Sequence, residues 1–317
     1  MEIQLERAVL GFRLSNEAKG LSHRTIEWYH QNLVLFQKWI AELIGHKPFL
    51  EEITAEQVRE YFTHLRTDAT AYRGHPFHPI ERRPLSPRSI ICHYTSLSSF
   101  FNWSLREELI SHSPMRNVPR PKTPKFIPDP FAEHEIRALL QACKDLPDKS
   151  SIRATAIIMV LLDSGMRLGE LLEMRMSNLD LEHGKVKVIG KGAKERFVYF
   201  GKAAKRSLFR YISMARPEPA QGNDFIFLSE EGFKITNRYL AHILKKVSKI
   251  ANVPKVHPHR FRRTAAIQFI RNGGNIFALQ KLLGHETLDM VRHYVELASE
   301  DVATAHQKAS PVDGWRL

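Results

Sequence analysis

NVPRPKTPKFIPDPF, residues 117–131, decides how this chain is divided. Five of its fifteen residues are proline and three are basic. Proline fixes φ and removes a backbone donor, so this density forbids helix and favours an extended, fairly stiff segment. A chain of 317 residues also exceeds the size at which single cores stop growing, roughly 250 residues. We therefore read a domain over 1–118, a linker over 119–130 and a second domain over 131–317.

Before the linker the pattern is helical. Ser22 can cap a helix whose apolar residues Ile26, Tyr29, Leu33, Phe36, Ile40 and Leu43 recur at 3–4 spacing. Thr54 with Gln57 forms a capping-box pattern ahead of Val58, Phe62 and Leu65. Ser86-Pro87 is a cap followed by proline at the first helical position, leading into Ile90, Tyr94, Leu97 and Phe101. Between the last two helices, 67–85 is a His-, Arg- and Pro-rich loop, read as a solvated connection or a DNA contact.

After the linker the pattern is mixed. Glu133–Ala142 and Ile152–Leu162 read as helices. GKVKVI (184–189) and RFVYF (196–200) read as strands joined by a glycine-containing turn, hence a hairpin. Helical patterns resume near Thr236 and run to about His306. The expectation is a mainly α protein: a helical N-terminal domain, then a mixed α+β domain with a small antiparallel sheet.

The chain carries 47 Lys+Arg against 34 Asp+Glu, a formal charge of +13. The surplus is uneven: residues 1–120 hold 15 basic against 13 acidic side chains, leaving a surplus of eleven for the remainder. A balance this basic points to a polyanion, nucleic acid before an acidic membrane surface, gripped hardest after residue 120. The linker is long enough to let two domains sit on opposite sides of a DNA duplex. Two cysteines, Cys92 and Cys143, exclude a disulfide framework and suit a reducing compartment. No apolar stretch is long enough to span a bilayer, and a cytoplasmic, nucleoid-associated location is expected.

Four segments hold the candidates for chemistry. SGMRLGE carries Arg167 and, one turn on, Glu170; GKGAKER carries Lys191 in the hairpin turn; HPHRFRR carries His259 and Arg262; LLGHETLDMVRHYVEL carries His285 and, nine residues later, Tyr294. Taken singly, each has a plain alternative: a surface ion pair, a solvated basic turn, a half-buried aromatic. His257 and His259 lack carboxylate or cysteine partners at metal-binding spacing, and GKGAK lacks the spacing of a nucleotide phosphate loop. No metal and no cofactor is expected.

Taken together they suit phosphoryl transfer from DNA without a metal. The phosphorane-like state carries extra negative charge on its non-bridging oxygens, which two guanidiniums can clamp in bidentate fashion. A tyrosine hydroxyl, pKa about 10 as a residue type, is a better nucleophile than serine. A lysine can protonate the departing 5′ oxygen, and histidines can donate to phosphate oxygens or take the phenol proton.

In order and spacing these four boxes resemble the tyrosine recombinase (integrase) family, which includes phage and transposon integrases and Xer-type resolvases. The resemblance covers nearly the whole chain. It implies that Arg167 and Arg262 clamp the phosphate, that Lys191 is the general acid, and that Glu170 supports the packing of the site. It further implies that His259 and His285 are the hydrogen-bonding pair, with His259 the proton acceptor, and that Tyr294 forms a 3′-phosphotyrosyl link. Phe261, Arg263 and Gly169 depart from common family residues without touching this set. The N-terminal helices resemble the family's SAM-like core-binding domain, and no arm-binding domain is expected before it. The implied assembly is a C-shaped clamp on double-stranded DNA with inverted half-sites. A homotetramer would act on synapsed DNA through a Holliday junction, with accessory DNA-bending proteins and a C-terminal tail docking into a neighbouring subunit. Integration or excision of a mobile element is favoured. Xer-type chromosome or plasmid dimer resolution is the alternative, ahead of a type IB-like topoisomerase, a non-catalytic DNA-binding regulator and a metal-dependent nuclease.

Overall fold

A computed structural model of the chain describes residues 3–69, 84–122, 129–190, 195–285, 287–298 and 310. The loop expected over 67–85 is largely outside these residues. So are Lys191 with its turn, residues 123–128 of the linker and most of the tail beyond 298. The chain divides into two compact units, Met1–Phe126 and Ile127–Leu317.

The first unit holds helices α1 (Leu5–Ala18), α2 (His23–Ile44), α3 (Ala55–Thr67) and α4 (Pro87–Arg106). Ser22 caps α2 by accepting from the Thr25 amide, and Ser86 caps α4 by accepting from the Ser89 amide. Thr54 and Gln57 bond reciprocally at the start of α3. Each cap satisfies an amide that the helix itself cannot, typically contributing about 0.5–2 kcal/mol. Ile26, Leu33, Phe36 and Ile40 are buried as their spacing predicts, whereas Leu43 is 48% exposed and lies off the packed stripe. Helix α1 joins this core through Leu5, Val9 and Phe12. Leu10 and Leu14, both more than half exposed, blur its apolar period in the sequence.

The second unit contains α5 (Glu133–Lys144), α6 (Asp148–Ser164), α7 (Leu168–Leu172), α8 (Lys202–Met214), α9 (Asn237–Ile250), α10 (Pro258–Arg271), α11 (Ile276–Leu283) and α12 (Asp289–Ala298). Its antiparallel sheet runs in the order β1 (Leu179–Asp180), β2 (Lys185–Ile189), β3 (Glu195–Tyr199), with Val186 opposite Val198 and Val188 opposite Arg196. Alternation puts Val186, Val188 and Val198 inward, while Phe197 and Tyr199 face out. The core packs α6 against α8 and α10.

The far end of the proline-rich stretch is tied to α10. Arg260 donates to the Asp129 carbonyl at 3.1 Å, to the Pro254 carbonyl at 2.9 Å and to Glu135 Oε2 at 2.7 Å. Its guanidinium lies 3.9 Å from the centre of the Phe131 ring. The Phe131 amide donates to Thr264 Oγ1 at 2.8 Å. No helix among the described residues is long and apolar enough to cross a membrane.

Candidate active site

Helix α6 ends at Gly165, whose φ of +60° turns the chain. A Cβ there would stand 3.0 Å from Leu283 Cδ2, so glycine is demanded by both conformation and space. Two residues on, Arg167 precedes α7. Its amide donates to Glu170 Oε2 at 2.7 Å, and its Nη1 donates to Glu170 Oε1 at 3.1 Å. The spacing read as a possible surface ion pair is therefore a helix-start motif built on a carboxylate only 4% exposed.

Arg262 is buried on α10, one turn after His259. Its Nη1 donates to the Gly165 carbonyl at 2.8 Å and its Nη2 to the Leu283 carbonyl at 2.8 Å. Nη2 also lies 2.8 Å from His285 Nε2. The last turn of α11 is where the pieces meet. The successive carbonyls of Leu282, Leu283 and Gly284 accept from three different arginines: Arg196, Arg262 and Arg167 respectively. A helix leaves these carbonyls without partners and its macrodipole makes them negative, so guanidiniums suit them. Gly284 closes the turn at φ +63°, and a Cβ on it would lie 2.8 Å from Arg196 Nε.

Arg196 also donates through Nη2 to Glu170 Oε2 at 2.8 Å. Glu170 thus bridges Arg167 and Arg196, and this cluster sets three guanidiniums against one buried carboxylate. The surplus of positive charge has electrostatic consequences. Burial, then Arg167, pushes the Arg262 guanidinium down to about 10, opposed by Tyr294 and Glu170. Burial also lowers Arg196, against the pull of Glu170. Burial, then the charges of Arg262, Arg167 and Arg196, pushes the His285 imidazole down to about 4. Arginine only donates, so His285 Nε2 accepts and the neutral ring carries its proton on Nδ1. That Nδ1 is buried and has no hydrogen-bond partner among the described residues.

Tyr294, on α12, is half-buried against the small apolar cluster of Ala266, Leu279, Leu283 and Val291. Its ring lies 6.1 Å from that of His285, nearly parallel at 22°. The structure therefore gathers Arg167, Glu170, Arg262, His285 and Tyr294. His259 is exposed in the first turn of α10. Lys191 lies outside the described residues. His257, weighed as half of a metal pair, instead caps α10 by accepting from the Arg260 amide at 3.3 Å. Among the described residues no group of three or more His, Cys, Asp or Glu could hold a metal.

Arg196 was missed as a site residue in the sequence, where it stands as the first residue of the β-prone run RFVYF. The signal was present. Strand alternation puts residue 196 on the same inward face as Val198, and an arginine on a core-facing position needs buried acceptors.

Residues 130–301 match the phage integrase family. Over 295 residues the chain is 32% identical to a tyrosine recombinase XerC of Leptospira interrogans, covering 92% of this chain and 89% of that protein. It is 30% identical over 291 residues to a tyrosine recombinase XerD of Listeria innocua, covering 90% of this chain and 92% of that protein. Among solved structures, a Tn1549 transposon integrase in complex with a circular intermediate DNA superposes with TM-score 0.75 at 17% identity, covering 98% of this chain and 99% of that one. A XerH site-specific recombinase bound to its palindromic difH substrate, in a post-cleavage complex, superposes with TM-score 0.71 at 19% identity, covering 94% and 82%. At these identities the structural likeness speaks to the fold.

Proposed function

The chain belongs to the phage integrase family and is a tyrosine recombinase of the Xer/integrase type, and from that premise we propose how its own residues carry the reaction. Arg167 and Arg262 bind the non-bridging oxygens of one DNA phosphodiester, and His285 donates to the same phosphate from Nδ1–H. The phenol oxygen of Tyr294 attacks phosphorus while His259 takes its proton. A P–O bond to tyrosine forms, the P–O bond to the 5′ oxygen breaks, and Lys191 protonates the departing oxygen. The strand is left with a 3′-phosphotyrosyl end and a free 5′ hydroxyl. Reversal with the 5′ hydroxyl of a second duplex rejoins it, so bond energy is conserved and no nucleotide is consumed.

One observation carries this reading. Arg167 and Arg262 are held on neighbouring carbonyls of one helical turn, those of Gly284 and Leu283, next to His285, with the Tyr294 ring 6.1 Å from that imidazole. The charge balance supports it. Three guanidiniums against one carboxylate leave two positive charges, while a phosphodiester carries about one negative charge and its five-coordinate state about two. The site suits the transition state better than the ground state, which is what acceleration requires.

The assembly we propose is four protomers on two duplexes, each duplex carrying inverted half-sites, exchanging strands in two steps. The N-terminal unit is the core-binding domain and 119–130 the linker. The relatives' Xer names support chromosome or plasmid dimer resolution over the mobile-element role favoured by the sequence. The test uses a library of nicked duplexes with random central sequence, incubated with the protein in EDTA. Covalent adducts mapping to a pair of inverted half-sites on the protein's own chromosome or plasmids support dimer resolution; adducts at the ends of a mobile element support integration. Relaxation of supercoiled plasmid lacking the recovered site would instead indicate a topoisomerase.

A further inference from the structure

We propose that Arg196 is a positioning residue for DNA cleavage, fixing the last turn of α11 against Glu170 so that both clamp arginines and His285 meet the phosphate together. This rests on the transesterification reading above, but Arg196 belongs to neither the clamp nor the proton-transfer groups.

The geometry is a fork with two tines engaged. Nη2 donates to Glu170 Oε2 at 2.8 Å while Nη1 donates to the Leu282 carbonyl. A planar guanidinium can hold a carboxylate and a carbonyl in fixed relation; an ammonium cannot. The Leu282 carbonyl is the first of the three successive acceptors, followed by that of Leu283 for Arg262 and that of Gly284 for Arg167. His285 follows directly in the chain. Glu170 in turn holds Arg167 through both its amide and its guanidinium. Arg196 therefore touches both ends of the clamp's support, the carboxylate beneath Arg167 and the helix end beneath all three arginines. The side chain is only 13% exposed, and the absence of a Cβ on Gly284 lets it lie against that turn.

Arg196 also comes from a different element, β3, where it pairs with Val188 of β2. Among the described residues no other hydrogen bond or ion pair joins the hairpin to Glu170. Losing the guanidinium frees the Leu282 carbonyl and one lobe of Glu170, and the α11 end can shift relative to Arg167. A misplacement of that kind slows chemistry without abolishing the grip on DNA.

The test is a double-mutant cycle with a binding control. The duplex captured covalently by the wild-type protein is resynthesised as a suicide substrate, and single-turnover adduct formation is measured for Arg196→Met, Arg196→Lys, Arg167→Ala and Arg167→Ala/Arg196→Met. Duplex affinity is measured with Tyr294→Phe present, and folding by circular dichroism. We expect Arg196→Met to cleave on the order of 10- to 100-fold more slowly with duplex affinity preserved. Arg196→Lys stays slow despite keeping the charge, and the double variant is no slower than Arg167→Ala alone. Wild-type rates in Arg196→Lys, a loss explained wholly by weaker binding, or losses that multiply with Arg167→Ala would each overturn the proposal. If Arg196→Met does not fold, Arg196→Lys decides: slow cleavage upholds the proposal and wild-type cleavage ends it. Failure of the wild-type protein to form any adduct would contradict the recombination chemistry itself, and is seen before any variant is compared.

Discussion

Arg262 Nη2 donates to His285 Nε2 at 2.8 Å, and this single bond fixes which nitrogen of the imidazole carries the proton. With Nε2 committed as an acceptor, the proton of the neutral ring sits on Nδ1. The arrangement works only with a neutral ring, and burial beside Arg262, Arg167 and Arg196 holds the His285 pKa down to about 4.

A pH dependence of stability follows. In the unfolded chain a histidine titrates near ~6.5, so between that value and about 4 the unfolded state binds more protons than the folded state. Stability is fully present above ~6.5 and falls as pH drops towards 4. His93, also pushed down to about 4 by burial, acts in the same direction in the first unit. Urea unfolding at pH 7.5 and pH 5 should show this loss in the wild-type protein and a smaller one in His285→Asn. An equal loss in both would rule out the assignment.

Glu170 offers a second prediction. Its buried carboxylate faces two guanidiniums, and removing one partner of a buried ion pair typically costs about 3–5 kcal/mol. Glu170→Ala should fall in that range by chemical denaturation. Glu170→Gln, which keeps the shape and loses the charge, should cost less while still slowing cleavage. A neutral Glu170→Ala would mean that the two arginines are held by the α11 carbonyls alone.

Gly284→Ala tests the close approach at the end of α11. The left-handed conformation costs an alanine about 1–2 kcal/mol, and its Cβ would meet Arg196 Nε at 2.8 Å. The expected result is a folded protein, less stable by at least that amount, with cleavage reduced more than duplex binding. Wild-type cleavage by Gly284→Ala would show that the turn has room to give.

Much of this site could be read from the sequence because its residue types are chemically specific and lie in ordered boxes. His259 and Arg262, three residues apart in one box, lie on one helix. The caps at Ser22, Thr54 and Ser86 were legible for the same reason: each is a local bond between residues three apart. What local patterns could not reveal was long-range partnership. Arg196 and Glu170 are 26 residues apart and Arg167 and Gly284 are 117 apart, so no helix or strand period links them. Helix α1 was missed because Leu10 and Leu14, exposed in the structure, dilute its apolar stripe. Strand β1 is two residues long, too short to alternate.

Binding to DNA should be strongly salt-dependent. The second part of the chain, after residue 120, carries a surplus of eleven basic over acidic side chains. Each phosphate neutralised contributes a slope of roughly −0.9 in log affinity against log salt. Titrations of the captured duplex between low and moderate salt should give a steep line, and an affinity that barely changes would be incompatible with a phosphate-gripping surface.

Whether Tyr294 is the nucleophile is decided by denaturing gel electrophoresis of the nicked duplex after incubation with wild-type protein and with Tyr294→Phe. The wild type should form a protein–DNA adduct with the tyrosine on the 3′ phosphate, and Tyr294→Phe none, although the variant binds the duplex with unchanged affinity. An adduct formed by Tyr294→Phe would contradict that role.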